Sequence, residues 1–127
     1  MGNSKPKEYR PDLNDPNMPA RGMTEDDLVK RDTIFKPDLL AGKTLLITGA
    51  GSGMGKAAAV LASRLGANVA TCGRDEEKLK RTRDIIGEAT GRELFFDTLN
   101  IRDADAVSEY IDAVHDKFGG IDTLVNN

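Results

Sequence analysis

The chain contains few residues of the kinds that carry disulfides, metal clusters or membrane anchors. Its 127 residues include one cysteine, one histidine and no tryptophan. A lone cysteine, Cys72, excludes an intramolecular disulfide and a thiolate metal cluster, and we expect it to be a buried structural thiol. No apolar run reaches the ~18 residues of a membrane span, and the N-terminus lacks the apolar core of a secretory signal. We therefore expect a cytoplasmic protein with no membrane partner and no metal site.

The charge balance is also unremarkable. The formal net charge is −3, with 31% charged and 39% hydrophobic residues. A mildly acidic chain offers no extended positive surface for a phosphate backbone, so we expect no nucleic-acid partner. The size and composition are those of one globular domain.

Residues 1–41 differ in composition from the rest and are predicted to form an N-terminal arm. All five prolines lie there, among many polar residues that bury little apolar surface. We predict a largely irregular arm with one short helix, capped by Thr24, with Asp27 in its first turn, running to about Arg31. Its apolar residues leave two interpretations open, a tether to the domain or to a second subunit, or a disordered leader. These residues are Ile34, Phe35, Leu39 and Leu40.

Residues 42–127 alternate between strand and helix patterns. Strands are predicted over 44–48, 68–72, 93–99 and 122–126. Helices are predicted over 53–65, from Asp75 to about Ala89, and from Asp103 or Asp105 to a stop at Gly119. Short connections and right-handed crossovers give an α/β fold, a doubly wound parallel sheet in the order 3-2-1-4. The pattern predicts a Rossmann fold that is incomplete after its fourth strand.

A glycine-rich turn, residues 48–55, lies between the first strand and its helix. In this setting it predicts a pyrophosphate site, because main-chain N–H groups and the positive helix end would face the phosphates. Side chains at Gly49, Gly53 or Gly55 would block the ligand or keep the helix from closing on the strand.

The spacing of these glycines separates related phosphate-binding patterns. A mononucleotide P-loop anchored on Gly55 and Lys56 fails at Ala50 and Ala57, which excludes the usual phosphate and Mg²⁺ ligands. The common dinucleotide form G-x-G-x-x-G fails at Met54. The form that fits is G-x-x-x-G-x-G, on Gly49, Gly53 and Gly55.

That spacing, preceded by Thr48, resembles the classical short-chain dehydrogenase/reductase family. Leu99-Asn100-Ile101 is similar to the family segment beside the adenine ring. Residues 122–127 are similar to the strand that leads into the family's Asn-Asn-Ala-Gly motif. The similarity covers 43–127 and implies a nicotinamide cofactor in contact with Asn100 and Ile101. It also implies that Asn126 braces the central strands beside the adenosine ribose, although a purely structural role for Asn126 stays open.

Two further residues of the turn are assigned to the cofactor. Ser52 and Met54 are expected to donate main-chain N–H groups to the pyrophosphate. The Ser52 hydroxyl could add a hydrogen bond, or Ser52 could be no more than a small turn residue.

The end of the second strand bears on the choice between NADP and NAD. An acidic residue there would accept from the ribose 2′-hydroxyl, whereas an arginine would bind a 2′-phosphate. The resemblance places the NAD-type acid at Gly73, which has no side chain, and Arg74 is similar to the arginine of NADP-using members. NADP is therefore favoured over NAD. Two alternatives stay open, Arg74 as a solvated charge and Asp75 as the ribose acid, although Asp75 better suits a helix N-cap.

No catalytic residue is assigned. The resemblance implies hydride transfer by a Tyr-x-x-x-Lys pair, a serine and a further asparagine, all beyond the Asn-Asn-Ala-Gly motif. Tyr9 and Tyr110 have no lysine four residues later, and His115 is expected to be a half-exposed helix residue. We expect the isolated chain to be marginally stable and inactive.

The leading hypothesis is the cofactor-binding part of an NADP-dependent oxidoreductase acting on a carbonyl, alcohol or enoyl-CoA-like small molecule. The resemblance implies a homo-oligomer, dimer or tetramer, for the complete protein. Residues 100–102 and 35–40 are similar to enoyl-CoA and 2,4-dienoyl-CoA reductases. The alternatives are a non-catalytic dinucleotide-binding module, which would bind NADPH without turnover, and an inactive fragment without affinity.

Overall fold

A computed structural model describes Pro16 and residues 22–127. Within them, helices and strands alternate as the sequence pattern predicts. The elements are α1 Glu25–Lys30, β1 Thr44–Thr48, α2 Gly53–Arg64, β2 Asn68–Gly73, α3 Glu76–Thr90, β3 Leu94–Thr98, α4 Ala104–Phe118 and β4 Thr123–Val125.

The four strands form one parallel sheet in the order β3-β2-β1-β4. This order confirms the predicted doubly wound arrangement. The centre of the sheet is the pair β1 and β2, in which Leu46 lies beside Ala70. All four carboxyl ends therefore meet at one edge, where an open α/β sheet offers a crevice for ligands.

The helices divide between the two faces of the sheet. On the first, which we call the helix-rich face, α2 and α3 cover Ile47, Val69 and Leu94, and α1 packs outside them with Leu28 in the same core. On the second, the α4 face, the described residues provide one helix, α4, which packs Tyr110 and Val114 against the sheet. Successive residues of a strand point to opposite faces, so each strand contributes to both cores.

Local sequence signals account for most helix ends. The carboxylates of Asp75 and Asp103 accept main-chain N–H bonds from Lys78 and Ala106, which caps α3 and α4. Gly91 and Gly119 end the same helices in the left-handed conformation, with φ of 68° and 81°. The prediction that Asp75 caps a helix is confirmed.

The short arm helix is confirmed, with Thr24 and Asp27 forming a reciprocal capping box. The predicted tether is only partly right. Leu40 packs against the helix-rich core, but Ile34 is 96% exposed, and the buried anchor is Leu28, which the sequence pattern did not single out. Residues 1–15 and 17–21, with Tyr9, lie outside the described residues, and the domain boundary after residue 41 stays a prediction.

The exposed fractions of Cys72 and Ile111 bear on two predictions about which side chains are buried. Cys72 is buried, as expected, and burial raises the pKa of its thiol. The apolar residues Tyr110, Ile111 and Val114 recur at helical spacing in α4, which predicts that all three face the core, but Ile111 is 40% exposed. Its position on the helix leaves it at the rim of the interface, because one helix covers only a stripe of the α4 face.

Candidate functional site

A cleft of about 980 Å³ opens at the carboxyl edge of the sheet. Its walls are the glycine turn, the end of β2 with the first turn of α3, and the loop after β3. Five residues predicted to bind the cofactor line it, namely Gly49, Ser52, Arg74, Asn100 and Ile101, and so do Gly51 and Asn127, which were not predicted.

The turn brings α2 into close contact with β1 at two glycines. Gly49 has φ of 70°, a conformation that side chains disfavour, and its N–H donates to the carbonyl of Cys72 over 2.9 Å. A Cβ at Gly55 would collide with the carbonyl oxygen of Gly49 and with the side chain of Asn127. The absence of side chains therefore lets α2 begin directly beside the strand end.

The first turn of α2 carries main-chain donors that no helical carbonyl can use. The first N–H bond of the helix runs from Lys56 to the carbonyl of Ser52. The preceding N–H groups, those of Gly53, Met54 and Gly55, have no acceptor four residues back in the helix. Such a helix start is the normal place for a phosphate, because free donors and the helix dipole both favour negative charge.

The structure separates the roles of the side chains in this turn. Ser52 is the N-cap residue of α2, but its hydroxyl makes no capping hydrogen bond and is exposed toward the cleft. Met54 is 83% exposed. Gly53, Met54 and Gly55 are not among the residues that line the cleft, so any contact from them would come from the N–H groups of the helix start.

Arg74 and Asp75 follow β2 and take different positions. The Asp75 carboxylate accepts from the N–H of Lys78 over 3.1 Å, and this hydrogen bond is the main reason that its pKa lies below the ordinary value. Arg74 lines the cleft with an exposed side chain. Among the described residues, no acceptor lies within hydrogen-bond distance of its guanidinium. Within the described part of the chain, Arg74 is thus a free cation on the cleft wall formed by the end of β2.

The loop after β3 supplies the other wall. Asn100 and Ile101 both line the cleft and are exposed, Ile101 by 62%. The Asn100 side-chain oxygen accepts from the N–H of Arg102 over 3.0 Å. This bond folds the loop and leaves the Asn100 amide N–H groups available as donors.

The two asparagines after β4 occupy different places. Asn126 is exposed and does not line the cleft. Asn127 does line it, donating its main-chain N–H to the Thr48 hydroxyl over 3.0 Å and its side-chain N–H to the Gly49 carbonyl over 3.2 Å. Sequence reasoning did not assign Asn127 or Gly51, although each lies inside the segments it singled out. The packing of α3 explains the glycine at position 51, because a Cβ at Gly51 would lie 3.0 Å from the Cβ of Lys78.

Tyr110 and His115, the other described residues considered for proton transfer, do not line the cleft. The Tyr110 hydroxyl is buried, 2.6 Å from the carbonyl oxygen of Thr71 and 2.9 Å from that of Phe95. Burial raises the pKa of Tyr110 well above its ordinary value, so this hydroxyl stays protonated and structural. His115 is exposed on α4.

Metal sites and membrane-spanning helices are absent from the part of the chain that the structure describes. Within Pro16 and residues 22–127, no group of three or more His, Cys, Asp or Glu side chains is placed to hold a metal ion. None of the described helices combines the length and the apolar character needed to cross a bilayer.

Similarity to known proteins covers the whole cleft. The family model for short chain dehydrogenase matches residues 43–127. A short chain dehydrogenase/reductase of Macrophomina phaseolina is 40% identical over 88 residues, which are 69% of this chain and 50% of that relative. A peroxisomal 2,4-dienoyl-CoA reductase of Danio rerio is 30% identical over 111 residues, 87% of this chain and 37% of the relative.

Solved structures show the same similarity. A citronellol catabolism dehydrogenase of Pseudomonas aeruginosa superposes with a TM-score of 0.71 at 38% identity, over 76% of this chain and 40% of that one. A short chain dehydrogenase of Shigella flexneri, complexed with NADP, superposes with a TM-score of 0.68 at 33% identity, over 72% of this chain and 40% of that one. The chain spans half or less of the length of these relatives.

Proposed function

The chain belongs to the short-chain dehydrogenase family, and from that membership we propose that it is the dinucleotide-binding part of an NADP-dependent oxidoreductase. The observation that carries the proposal is the cleft at the carboxyl edge of the sheet. There Ser52, the residue from which α2 starts, and the cation of Arg74 line one open space. The helix start leaves the N–H groups of Gly53, Met54 and Gly55 without a helical acceptor. A dinucleotide with an extra phosphate on its adenosine ribose needs both features.

In this proposal each part of the cofactor has its own contacts. The pyrophosphate lies on the start of α2, with Ser52 beside it and Gly49 and Gly55 keeping the space clear. Asn100 and Ile101 contact the adenine, and Asn126 supports the ribose side through the end of β4. Arg74 binds the 2′-phosphate. Asp75 is committed to capping α3, which leaves no acid at this position for the 2′-hydroxyl of NAD.

The reaction of the complete protein is proposed to be hydride transfer between NADP(H) and a carbonyl, alcohol or enoyl-CoA-like substrate. The dienoyl-CoA reductases among the relatives support the enoyl-CoA-like class. We assign no residue of this chain to proton transfer. We further propose a cytoplasmic homo-oligomer for the complete protein.

The proposal predicts that Arg74→Ala discriminates between the two nicotinamide cofactors. Loss of a charged hydrogen bond to the 2′-phosphate should raise the dissociation constant for NADPH roughly ten- to a hundredfold. The dissociation constant for NADH should stay within about twofold. Fluorescence titration of the chain with each cofactor measures both dissociation constants.

Arg102→Ala is the matched control, because it removes the same charge from another wall of the same cleft. It should change the NADPH-to-NADH ratio much less than Arg74→Ala. An equal change in the two variants would show that Arg74 attracts anions only in a general way. Binding of NADPH by a complete protein that shows no turnover would instead favour a non-catalytic dinucleotide-binding module.

A further inference from the structure

The main-chain N–H and C=O of Ala50, inside the glycine turn, are each hydrogen-bonded to a buried threonine hydroxyl. The Ala50 N–H donates to the Thr71 hydroxyl oxygen over 3.2 Å, and the Thr82 hydroxyl donates to the Ala50 carbonyl over 2.9 Å. Ala50, Thr71 and Thr82 are each 0% exposed. Two elements of the fold, β2 and α3, therefore hold the main chain on both sides of the Ala50 Cα.

These hydrogen bonds satisfy groups that water cannot reach. A buried main-chain N–H or C=O without a partner is destabilising, and the turn has left the ladder of β1 at this point. A helical threonine commonly donates to the carbonyl four residues earlier, which for Thr82 is that of Lys78 at 3.1 Å. The shorter contact is the one to Ala50, so the hydroxyl is placed to hold the turn.

We propose that Thr82, together with Thr71, is a positioning residue for the phosphate site. By holding Ala50 it sets the orientation of the turn, and so directs the N–H groups of Gly53, Met54 and Gly55 toward the pyrophosphate. The two threonines touch no part of the cofactor and act through the main chain. This inference rests on the proposed dinucleotide binding.

The test compares Thr82→Val with Thr90→Val. Valine keeps the shape of threonine and removes the hydroxyl. Thr90 lies on the same helix, but its hydroxyl donates to the Ile86 carbonyl over 2.7 Å and accepts from the N–H of Arg92, just past the helix end, over 3.0 Å. Neither bond involves the glycine turn. Thr82→Val should weaken NADPH binding about tenfold, which is the effect expected from one lost hydrogen bond. Thr90→Val should leave NADPH binding unchanged.

A second ligand separates positioning from a general loosening of the fold. Adenosine 2′-phosphate lacks the pyrophosphate, so its affinity should stay within about twofold in Thr82→Val. Thr82→Ser, which keeps the hydroxyl, should bind NADPH like the unmodified chain. Unchanged NADPH affinity in Thr82→Val, or equal losses for both ligands, would overturn the inference.

A measurement without cofactor keeps the inference independent of the proposed function. The N–H groups of Gly49 and Ala50 are hydrogen-bonded to the Cys72 carbonyl and the Thr71 hydroxyl, and their hydrogen exchange should become about tenfold faster in Thr82→Val and stay unchanged in Thr90→Val. If the unmodified chain failed to bind NADPH, the proposed function would fall, while this exchange would still show whether Thr82 orders the turn. Equal exchange in both variants would refute the positioning role. Should Thr82→Val not fold, Thr71→Val, which removes the acceptor of the Ala50 N–H, should weaken NADPH binding in the same way.

Discussion

The two faces of the sheet are packed to different extents. On the helix-rich face three helices enclose the strand residues, so that Ile47, Val69 and Leu94 are each 1% exposed. On the α4 face the sheet is partly open within the described chain, where Leu124 of β4 is 56% exposed. Burial of apolar area is the main source of stability, so the helix-rich face contributes more of it.

The difference also bears on the cleft. The glycine turn, the start of α2 and the start of α3 all belong to the helix-rich face, and so do the threonines that hold Ala50. The better-packed face is thus the one that orders the proposed phosphate site. Precise placement of main-chain donors requires a rigid support, which a close-packed core provides.

Neighbouring residues on β1 give the most direct test of this comparison. Ile47 points to the helix-rich face and Leu46 to the α4 face, and both are buried. Ile47→Ala should lower the free energy of unfolding by about 4 kcal/mol, because three helices prevent the site from collapsing. Leu46→Ala should lower it by about 2.5 kcal/mol, because α4 can shift into the space. Urea denaturation of both variants measures the difference, and equal losses would show that the faces are equally rigid.

Two helical glycines test how closely α2 approaches the sheet. Gly55→Ala should destabilise the fold by about 3 kcal/mol, because the new methyl meets the Gly49 carbonyl and the Asn127 side chain. Gly87→Ala in α3 is the control, since its methyl would meet only the Arg92 carbonyl at 3.9 Å. Alanine favours a helix, so Gly87→Ala should stabilise by about 0.5–1 kcal/mol. Thermal unfolding measures both changes in stability. Unchanged stability in Gly55→Ala would disprove the close approach of α2 to the end of β1.

The smallest expected effect concerns the attachment of α1 to the helix-rich face. The Glu25 carboxylate lies 2.6 Å from Lys56 of α2 and 2.6 Å from Arg81 of α3. Hydrogen bonds from Arg81 and then Lys56 lower the pKa of Glu25 to about 2. Glu25→Gln should cost about 1 kcal/mol near neutral pH, a modest value because Glu25 is partly exposed.

The sign of the pH dependence follows from the lowered pKa. The ionised carboxylate contributes its full stabilisation above pH 4.5, the ordinary pKa, and loses it as the pH falls toward 2. The difference in the free energy of unfolding between the unmodified chain and Glu25→Gln should therefore become smaller as the pH falls from 4.5 to 2. Asp26→Asn is the control, because Asp26 pairs only with Lys30 of its own helix among the described residues. A gap that persists at pH 2 would contradict the ion-pair explanation.

Particular residues show how far sequence reasoning reached. The strand-helix alternation, the strand order and the caps at Thr24 and Asp75 were all predictable, because each depends on local spacing or on general rules of chain handedness. The exposure of Ile111 and the burial of Leu28 were not, because each depends on which elements pack against the helix. The glycine spacing predicted the phosphate turn, but it carried no sign of the contacts that hold it.

The candidate site likewise has some features that local sequence determines and others that tertiary packing determines. The order of residues along the chain determined the fold class, the main-chain donors at the start of α2 and the position of Arg74, since these follow from a short motif and its neighbouring strands. Tertiary structure decided that Asn127 joins Thr48 and Gly49, that Glu25 joins α1 to α2 and α3, and that Thr71 and Thr82 meet at Ala50. All of these contacts join residues more than twenty positions apart, and such pairs become neighbours only when the sheet and its helices have packed.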